Sequence, residues 1–208
     1  MAERENILHK VRTALGHHGS SVPEPPSPPR LIVPSWSPEE RLARLTAKFL
    51  GETVRCASLD EAAAFIAARV AGRSAVAANH PLLERLGVMS LPSVRSGLTG
   101  RDESRDGCAE SEIGITGVDY ALADPAALVM LSSARNDRLT SLLPASHIAV
   151  VEADKVLTGL DELFTIVPDP AEISSSMVLI GGPSRTGDIE MTLTLGVHGP
   201  REVCLVIV

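Results

Sequence analysis

Apolar residues recur with a helical period at the start of the chain. Ile7, Val11 and Leu15 are spaced four residues apart, and Gly16 follows as a stop signal. This pattern predicts an N-terminal helix, which we assign to residues 1–16.

Residues 17–36 have no such period and are rich in proline, as in the run "HHGSSVPEPPSPPR". Proline fixes φ and favours extended polyproline II backbone, so the segment is interpreted as a semi-rigid linker or arm.

From residue 37 the pattern alternates between helices and strands. Ser37–Glu40 combines a capping hydroxyl, a proline and two acids, and predicts a helix that ends near Gly51. Ser58 and Glu61 form a capping box at the start of a second helix. The intervening and following apolar runs, "TVRCA" and "SAVAA", are predicted strands, and Pro81 opens a short helix.

The second half of the chain contains further apolar runs. Residues 96–112 are rich in Gly, Ser, Asp and Arg, and predict an exposed loop or a weak helix start. A helix is predicted from about residue 155 to 164. The predicted strands are "DYALA", "ALVMLSS", "SHIAVVEA", "SMVLI" and "EVCLVIV". Alternation of strands and helices predicts one α/β domain over residues 37–208, with a mostly parallel sheet covered on both faces.

Composition narrows the functional class. Hydrophobic residues make up 44% of the 208 residues and aromatic residues only 2%, so an aliphatic core is expected. The formal net charge of -7 argues against a nucleic-acid or anionic-membrane partner.

Cys56, Cys108 and Cys204 lie too far apart for a local zinc or iron–sulfur motif, so we predict no metal and no cofactor in this chain. The charged start "MAERENILHK" does not resemble a secretory signal, which predicts a cytoplasmic protein without membrane insertion.

Polar clusters follow several predicted strands, and ligands of open α/β sheets collect at the carboxyl ends of strands. Arginine forks suit carboxylates and phosphates, and glycines after a strand let a ligand approach the backbone. A small carboxylate or phosphate is therefore the expected ligand. The predicted binding residues are Thr116, Asp119, Asp124, Arg138, Ser184, Arg185 and Asp188.

Proton transfer is assigned to Glu190 or His198. His198 lies between glycine-containing turns, whereas His147 leads into an apolar strand and is interpreted as a packed residue. The stretch around Arg185 has an alternative reading, because a capping hydroxyl, an acidic first turn and a surface arginine would give the same residue types.

The segments "GITGVDYALADPAALVM", "RLTSLLPASHIAVVEADKV" and "GGPSRTGDIEMTLTLGVHGP" together resemble the LUD-domain family, in particular its LutC/YkgG type. The resemblance implies a three-layer α/β/α fold of the NagB/RpiA/CoA-transferase-like class. It also implies a part in oxidising L-lactate to pyruvate beside LutA-like and LutB-like iron–sulfur proteins, which would hold the clusters. Pro125-Ala126 departs from the Thr-Gly that the family has at this point, so a contact made there by other members need not exist here.

Two other functions stay open at this point. The fold class also contains transferases and isomerases that act on acyl-CoA or phosphosugars, and a non-catalytic scaffold would need no ligand.

Overall fold

The computed structural model describes residues 2–16, 34–98, 100–133, 137–186 and 194–208, and the chain divides into the compact units Met1–Ile32 and Val33–Val208. The first unit contains helix α1, Ala2–Ala14, with acids in its first turn and Arg12 in its last. These charges complement the helix dipole. The predicted linker lies mostly outside the described residues.

The second unit alternates helices and strands. Its described helices are α2 (Pro38–Lys48), α3 (Leu59–Val70), α4 (Pro81–Arg85), α5 (Arg101–Ala109), α6 (Leu139–Leu142), α7 (Leu160–Ile166) and α8 (Pro170–Ile173). Its described strands are β1 (Glu52–Arg55), β2 (Ala75–Ala77), β3 (Val94–Arg95), β4 (Ile113–Gly117), β5 (Tyr120–Ala123), β6 (Ala126–Leu131), β7 (Ser146–Val151), β8 (Val156–Leu157), β9 (Met177–Ile180), β10 (Arg185–Thr186), β11 (Thr194–Leu195) and β12 (Glu202–Ile207).

The central sheet has the order β1-β12-β7-β4-β2-β3, and each adjacent pair is parallel. Strand β12 lies between β1 and β7, with Val203 beside His147 and Leu205 beside Ala149. Its almost uniformly apolar sequence is that of a strand covered on both faces. The α/β class with a mostly parallel sheet is confirmed.

A second sheet has the order β8-β5-β6-β9. Strands β5 and β6 form an antiparallel pair whose turn is Asp124-Pro125, and β9 runs antiparallel to β6 at the edge. The sequence predicted β5, β6 and β9 as strands, but not β8, and not that these strands leave the central sheet. Their direction matters for the site, because the chain after β9 does not emerge at the carboxyl edge of the parallel sheet.

Three apolar clusters join these layers. Helices α3 and α4 cover one face of the central sheet through Ile66, Leu83 and their neighbours. On the other face, α2 and the second sheet pack against the apolar side chains of β7 and β12, with Leu45 fully buried. Leu163 of α7 covers the far side of the second sheet.

Several element predictions need correction. Residues 101–109 form α5, with Ser104 and Cys108 buried, where a loop or weak helix start was expected. Strand β4 was not recognised, because glycines at 114 and 117 interrupt its apolar pattern. The helix expected from residue 155 begins only at Leu160, since Val156 and Leu157 pair with β5.

Candidate functional site

A cavity of about 340 Å³ lies between the amino ends of β7 and β12 and the edge strand β9; we call it the inter-sheet cavity. Its lining consists of Ser141, Leu142, His147, Val178, Leu179, Ile180, Gly181, Gly182, Ser184, Arg185, Thr186, His198, Gly199, Pro200 and Val203. The volume is within the range of small-molecule sites.

The turn after β9 brings three predicted residues to this cavity. Gly182 has φ +140° and lies against Leu50, where a Cβ atom would be 2.7 Å from the Leu50 Cβ. Only glycine suits both that backbone and that contact. The chain then returns through β10 and β11, so Ser184, Arg185 and His198 all line the cavity.

Backbone contacts fix this turn against the segment that precedes β12. The Ser184 N–H donates to the carbonyl of Pro200 at 2.9 Å, and the Gly196 N–H donates to the Ser184 carbonyl at 3.0 Å. The backbone N–H of His198 donates to Ser184 Oγ at 3.3 Å. Ser184 is thus a structural link between the two arms of the turn as well as part of the cavity wall.

Arg185 is the cation of the cavity. Its side chain is exposed, and within the described ranges it has no ion-pair partner. By contrast, eight other described arginines pair with carboxylates: Arg4, Arg41, Arg55, Arg69, Arg73, Arg85, Arg95 and Arg105. The described lining contains no carboxylate, so Arg185 is available to an anionic ligand.

His147 forms a buried part of the wall and is 1% exposed. Its Nε2 lies 2.8 Å from Thr116 Oγ1, and the Thr116 hydroxyl donates to the Met130 sulfur at 3.7 Å. Its Nδ1 is buried and has no hydrogen-bond partner among the described residues. Burial lowers the pKa of His147 to about 4, so the imidazole is neutral at pH 7.

The other predicted binding residues lie elsewhere. Asp119 follows the carboxyl end of β4, opposite the cavity, and its Oδ2 accepts the Leu131 N–H at 2.7 Å. Asp124 pairs with Lys48 at 3.1 Å. Arg138 is exposed at the start of α6, the helix that supplies Ser141 and Leu142 to the cavity. Asp188 and Glu190 lie outside the described residues.

Only some of the predicted binding residues therefore lie together in the inter-sheet cavity. Thr116 does not line the cavity but lies behind it, bonded to His147. The cavity is at the amino edge of the parallel sheet, not at the carboxyl edge that was expected, because β9 belongs to the second sheet. Sequence reasoning passed over His147; its only signal was a histidine at the start of an apolar strand.

A second concavity, of about 320 Å³, shares His147 and Val203 with the inter-sheet cavity. It contains Arg69, Arg73 and Arg201, and we call it the arginine-rich cavity. Two of these cations are neutralised, Arg69 by Glu52 and Arg73 by Glu112. In the same cavity, burial raises the pKa of the Cys204 thiol to about 12. A thiol with that pKa is not a nucleophile at neutral pH.

The carboxyl edge of the sheet has a polar cluster of its own. His80 Nδ1 accepts the Leu82 N–H at 3.2 Å, and the ring lies so close to Gly117 that no Cβ fits there. Burial lowers the pKa of His80 and raises that of Asp119. The Nδ1 of His80 is used as a helix cap, which favours a structural role.

The described residues contain no group of three His, Cys, Asp or Glu side chains placed to hold a metal ion. In that same part of the chain, no helix is both long enough and apolar enough to cross a bilayer.

With this geometry in place, the family can be assigned. The LUD domain matches residues 40–208, which include both sheets and the inter-sheet cavity. The chain belongs to the LUD-domain family.

Relatives and one solved structure agree with this assignment. Lactate utilization protein C of Exiguobacterium sp. is 28% identical over 226 residues, which cover 100% of this chain and 96% of that protein. Lactate utilization protein C of Halalkalibacterium halodurans is 36% identical, but that match covers 48% of this chain and 45% of the relative. The crystal structure of a DUF162 family protein from Deinococcus radiodurans covers 83% of this LUD protein and 98% of that chain, with a TM-score of 0.61 and 19% identity. This likeness supports the fold.

Proposed function

We propose that this LUD-domain protein is an accessory, small-anion-binding component of L-lactate oxidation to pyruvate. Its full-length relatives are named lactate utilization protein C, which supports a role in lactate use. The proposed partners are LutA-like and LutB-like iron–sulfur proteins, which would supply the clusters for electron transfer. We place this role in the cytoplasm, where reducing conditions suit the free thiols of the chain.

One observation carries the binding part of the proposal: Arg185, without an ion-pair partner in the described chain, lines a largely apolar cavity. A guanidinium offers two parallel N–H donors to a carboxylate. The described lining contains no carboxylate that would compete with a ligand for this guanidinium. The bound species is a small carboxylate, with phosphate as the competing anion.

The other residues have separate proposed roles. The hydroxyl of Ser184 offers a further donor beside Arg185, and Arg138 adds positive charge at the start of α6. His198 is exposed in the lining, so it is the first described residue to test for proton transfer. Glu190 stays a candidate for the same role from the sequence.

Lactate-dependent electron transfer tests the accessory role. The three-component system is reconstituted with and without this chain, and reduction of an electron acceptor by L-lactate is followed. We expect the rate to fall when the chain is omitted. Unchanged activity without it would reject the accessory role.

Arg185→Gln tests the anion site, and the measured quantity is the affinity of the chain for L-lactate. We expect it to weaken binding of L-lactate by tenfold or more, on the order of the 1.5–3 kcal/mol of a hydrogen bond to a charged group. Arg105→Gln is the matched control, because Arg105 lies on the surface of α5, where its described ion pairs are with Asp102 and Asp106. If Arg185→Gln binds lactate and pyruvate as the parent does but still joins its partners, the chain acts as a scaffold.

A further inference from the structure

Strand β9 is the edge of the second sheet, and within the described chain only one of its sides is paired. It lies antiparallel to β6, with Leu179 opposite Val129. In the same register, the Ser132 N–H donates to the Ser176 carbonyl at 2.9 Å. Bonded and non-bonded pairs alternate along an antiparallel ladder. Leu179 is an odd number of residues from Ser176, so its pair is non-bonded and its N–H and C=O point away from β6.

This outward edge of β9 faces the inter-sheet cavity. The lining contains Val178, Leu179 and Ile180, and consecutive residues of a strand border one cavity only where it meets the backbone edge. In the described part of the chain, no group pairs with the N–H or the C=O of Leu179. Edge strands are commonly protected by charges or proline, and the sequence of β9, MVLI, has neither. The cavity therefore offers the donor and the acceptor of an unpaired strand.

The free edge is closed at the carboxyl end of β9. The next outward carbonyl after Leu179, that of Gly181, already accepts the Leu50 N–H at 3.2 Å. Gly182 follows and is packed so closely against Leu50 that no Cβ fits. A segment added beside Leu179 cannot continue past this point and must end there. Arg185 lines the same cavity and has no ion-pair partner in the described ranges, so the favoured chain end is a carboxylate.

Exposed apolar side chains border the inter-sheet cavity. Leu179 is an exposed part of its lining, and Leu50 is exposed where it packs against Gly182. Leu195, also exposed, is the register partner of Arg185 in the β10–β11 pair. Grouped exposed apolar side chains mark surfaces that bind another protein. A ligand of the size of lactate would leave these side chains uncovered, whereas a polypeptide with apolar side chains would cover them.

We propose that the inter-sheet cavity binds the extended, apolar C-terminal tail of a partner protein, which adds a strand beside β9 and places its terminal carboxylate on Arg185. The tail runs parallel to β9, because its carboxyl end lies at the Gly181 end of the strand. The Leu179 N–H donates to one tail carbonyl, and the Leu179 carbonyl accepts the N–H of the next tail residue but one. This inference rests on the proposed anion site and deepens it, because it names the class of partner that the site binds by strand addition.

The direct test titrates the ¹⁵N-labelled full chain with a short peptide of alternating valine and threonine, once with a free C-terminal carboxylate and once amidated. We expect the free acid to bind about tenfold more tightly, since amidation removes the charge that Arg185 binds. The Leu179 amide resonance should shift, and its hydrogen should exchange more slowly, when the peptide is bound. The Val178 amide is the internal reference, because its N–H points towards β6 in the same ladder.

Two substitutions test the two contacts separately. Leu179→Pro removes the outward N–H without breaking a ladder bond, since proline is tolerated where an edge N–H faces away from the sheet. We expect it to bind the free-acid peptide about tenfold more weakly than Leu179→Thr, which also loses the leucine side chain but keeps the N–H. Arg185→Gln should abolish the difference between the free-acid and the amidated peptide. If the proline protein does not fold, hydrogen exchange of the Leu179 amide in the parent protein tests the same contact.

A parallel titration with L-lactate separates this inference from the proposed function. Binding of L-lactate without binding of the peptide would overturn the tail site and leave the anion site intact. Binding of the peptide without binding of L-lactate would support the tail site and reject the lactate-binding function, and binding of neither would overturn both. Equal affinity for the free-acid and amidated peptides would show that the cavity does not recognise a chain end. Slow exchange of the Leu179 amide before any peptide is added would show that the edge is already paired; either result would overturn the inference.

Discussion

At the scale of single residues, His147 makes the stability of the protein depend on pH. The pKa of His147 is about 4 in the folded chain, against 6.5 for a free histidine, because the ring is buried. The unfolded chain therefore binds a proton between these pH values that the folded chain does not. Stability from this group is fully present above pH 6.5 and is lost as pH falls towards 4, by about 2 kcal/mol between pH 7.5 and pH 5.

Urea unfolding of the parent and of His147→Phe at both pH values measures this effect. The free energy of unfolding changes with pH in both proteins. The difference between these two changes is due to His147, because the other titrating groups are common to both. A parallel pH dependence in the two proteins would contradict the buried neutral histidine.

Gly114 marks a close contact between β4 and α6. A Cβ atom at this position would clash with the backbone carbonyl of Thr140, which cannot move aside as a flexible side chain would. We expect Gly114→Ala to lower the free energy of unfolding by about 1–3 kcal/mol. Gly181→Ala is the control, since its Cβ would meet only the Ala126 carbonyl oxygen, at 3.7 Å. Equal effects of the two substitutions in denaturant titrations would refute the steric argument.

Residue type alone predicted only part of the candidate site. Ser184, Arg185 and His198 come from one short stretch, so a local turn was sufficient to bring them together. His147 was missed because its place in the cavity wall and its contact with Thr116 are tertiary features. Asp119 looked the same in sequence as a ligand-binding carboxylate, but its oxygen is used to hold the Leu131 N–H.

At the scale of elements, the start of α2 shows how far local chemistry determines structure. Ser37 Oγ accepts the Glu40 N–H at 3.3 Å, and Glu40 Oε2 accepts the Ser37 N–H at 2.8 Å. We expect Ser37→Ala to lower the free energy of unfolding by about 1 kcal/mol, since it leaves a helix N–H without its cap. Ser35→Ala, the same change two residues earlier and outside the cap, should have little effect. Thermal unfolding of both variants checks this, and matching midpoints would exclude a stabilising cap.

Helices and strands that have a cap or an apolar run in their own sequence were predicted, and those without such a signal were not. Helices α2 and α3 begin at capping serines, and β12 has an unbroken apolar run. Strand β4 has two glycines whose use is explained only by its neighbours, because Gly114 lies under α6 and Gly117 beside His80. The division of strands between two sheets is likewise a matter of long-range pairing, which periodicity does not encode.

At the scale of the whole molecule, the inter-sheet cavity is a product of topology. The parallel sheet provides its floor at the amino ends of β7 and β12, and the antiparallel edge strand β9 provides its side. The rule that ligands bind at the carboxyl ends of parallel strands does not predict the position of this cavity. The second sheet shifts the candidate site to the opposite edge.

The core also indicates which part of the chain sustains folding. Every buried hydrophobic residue of the described chain falls between Leu42 and Ile207, inside the unit Val33–Val208. We therefore expect deletion of residues 1–32 to leave the thermal midpoint unchanged within about 2 °C, because no residue of that core is removed.

Trp36 sets the boundary for this truncation. The Arg44 guanidinium lies 3.9 Å from the Trp36 ring centroid, and Arg41 Nε donates to the Trp36 carbonyl at 3.2 Å. Trp36→Ala in the truncated protein should cost about 0.5–1 kcal/mol, since it removes the cation–π contact but keeps the backbone bond. Calorimetric unfolding of the full chain, of the truncated protein and of its Trp36→Ala variant tests both expectations. A large loss on deleting residues 1–32, with no further loss on Trp36→Ala, would show that stability depends on the N-terminal unit and not on the contacts of Trp36.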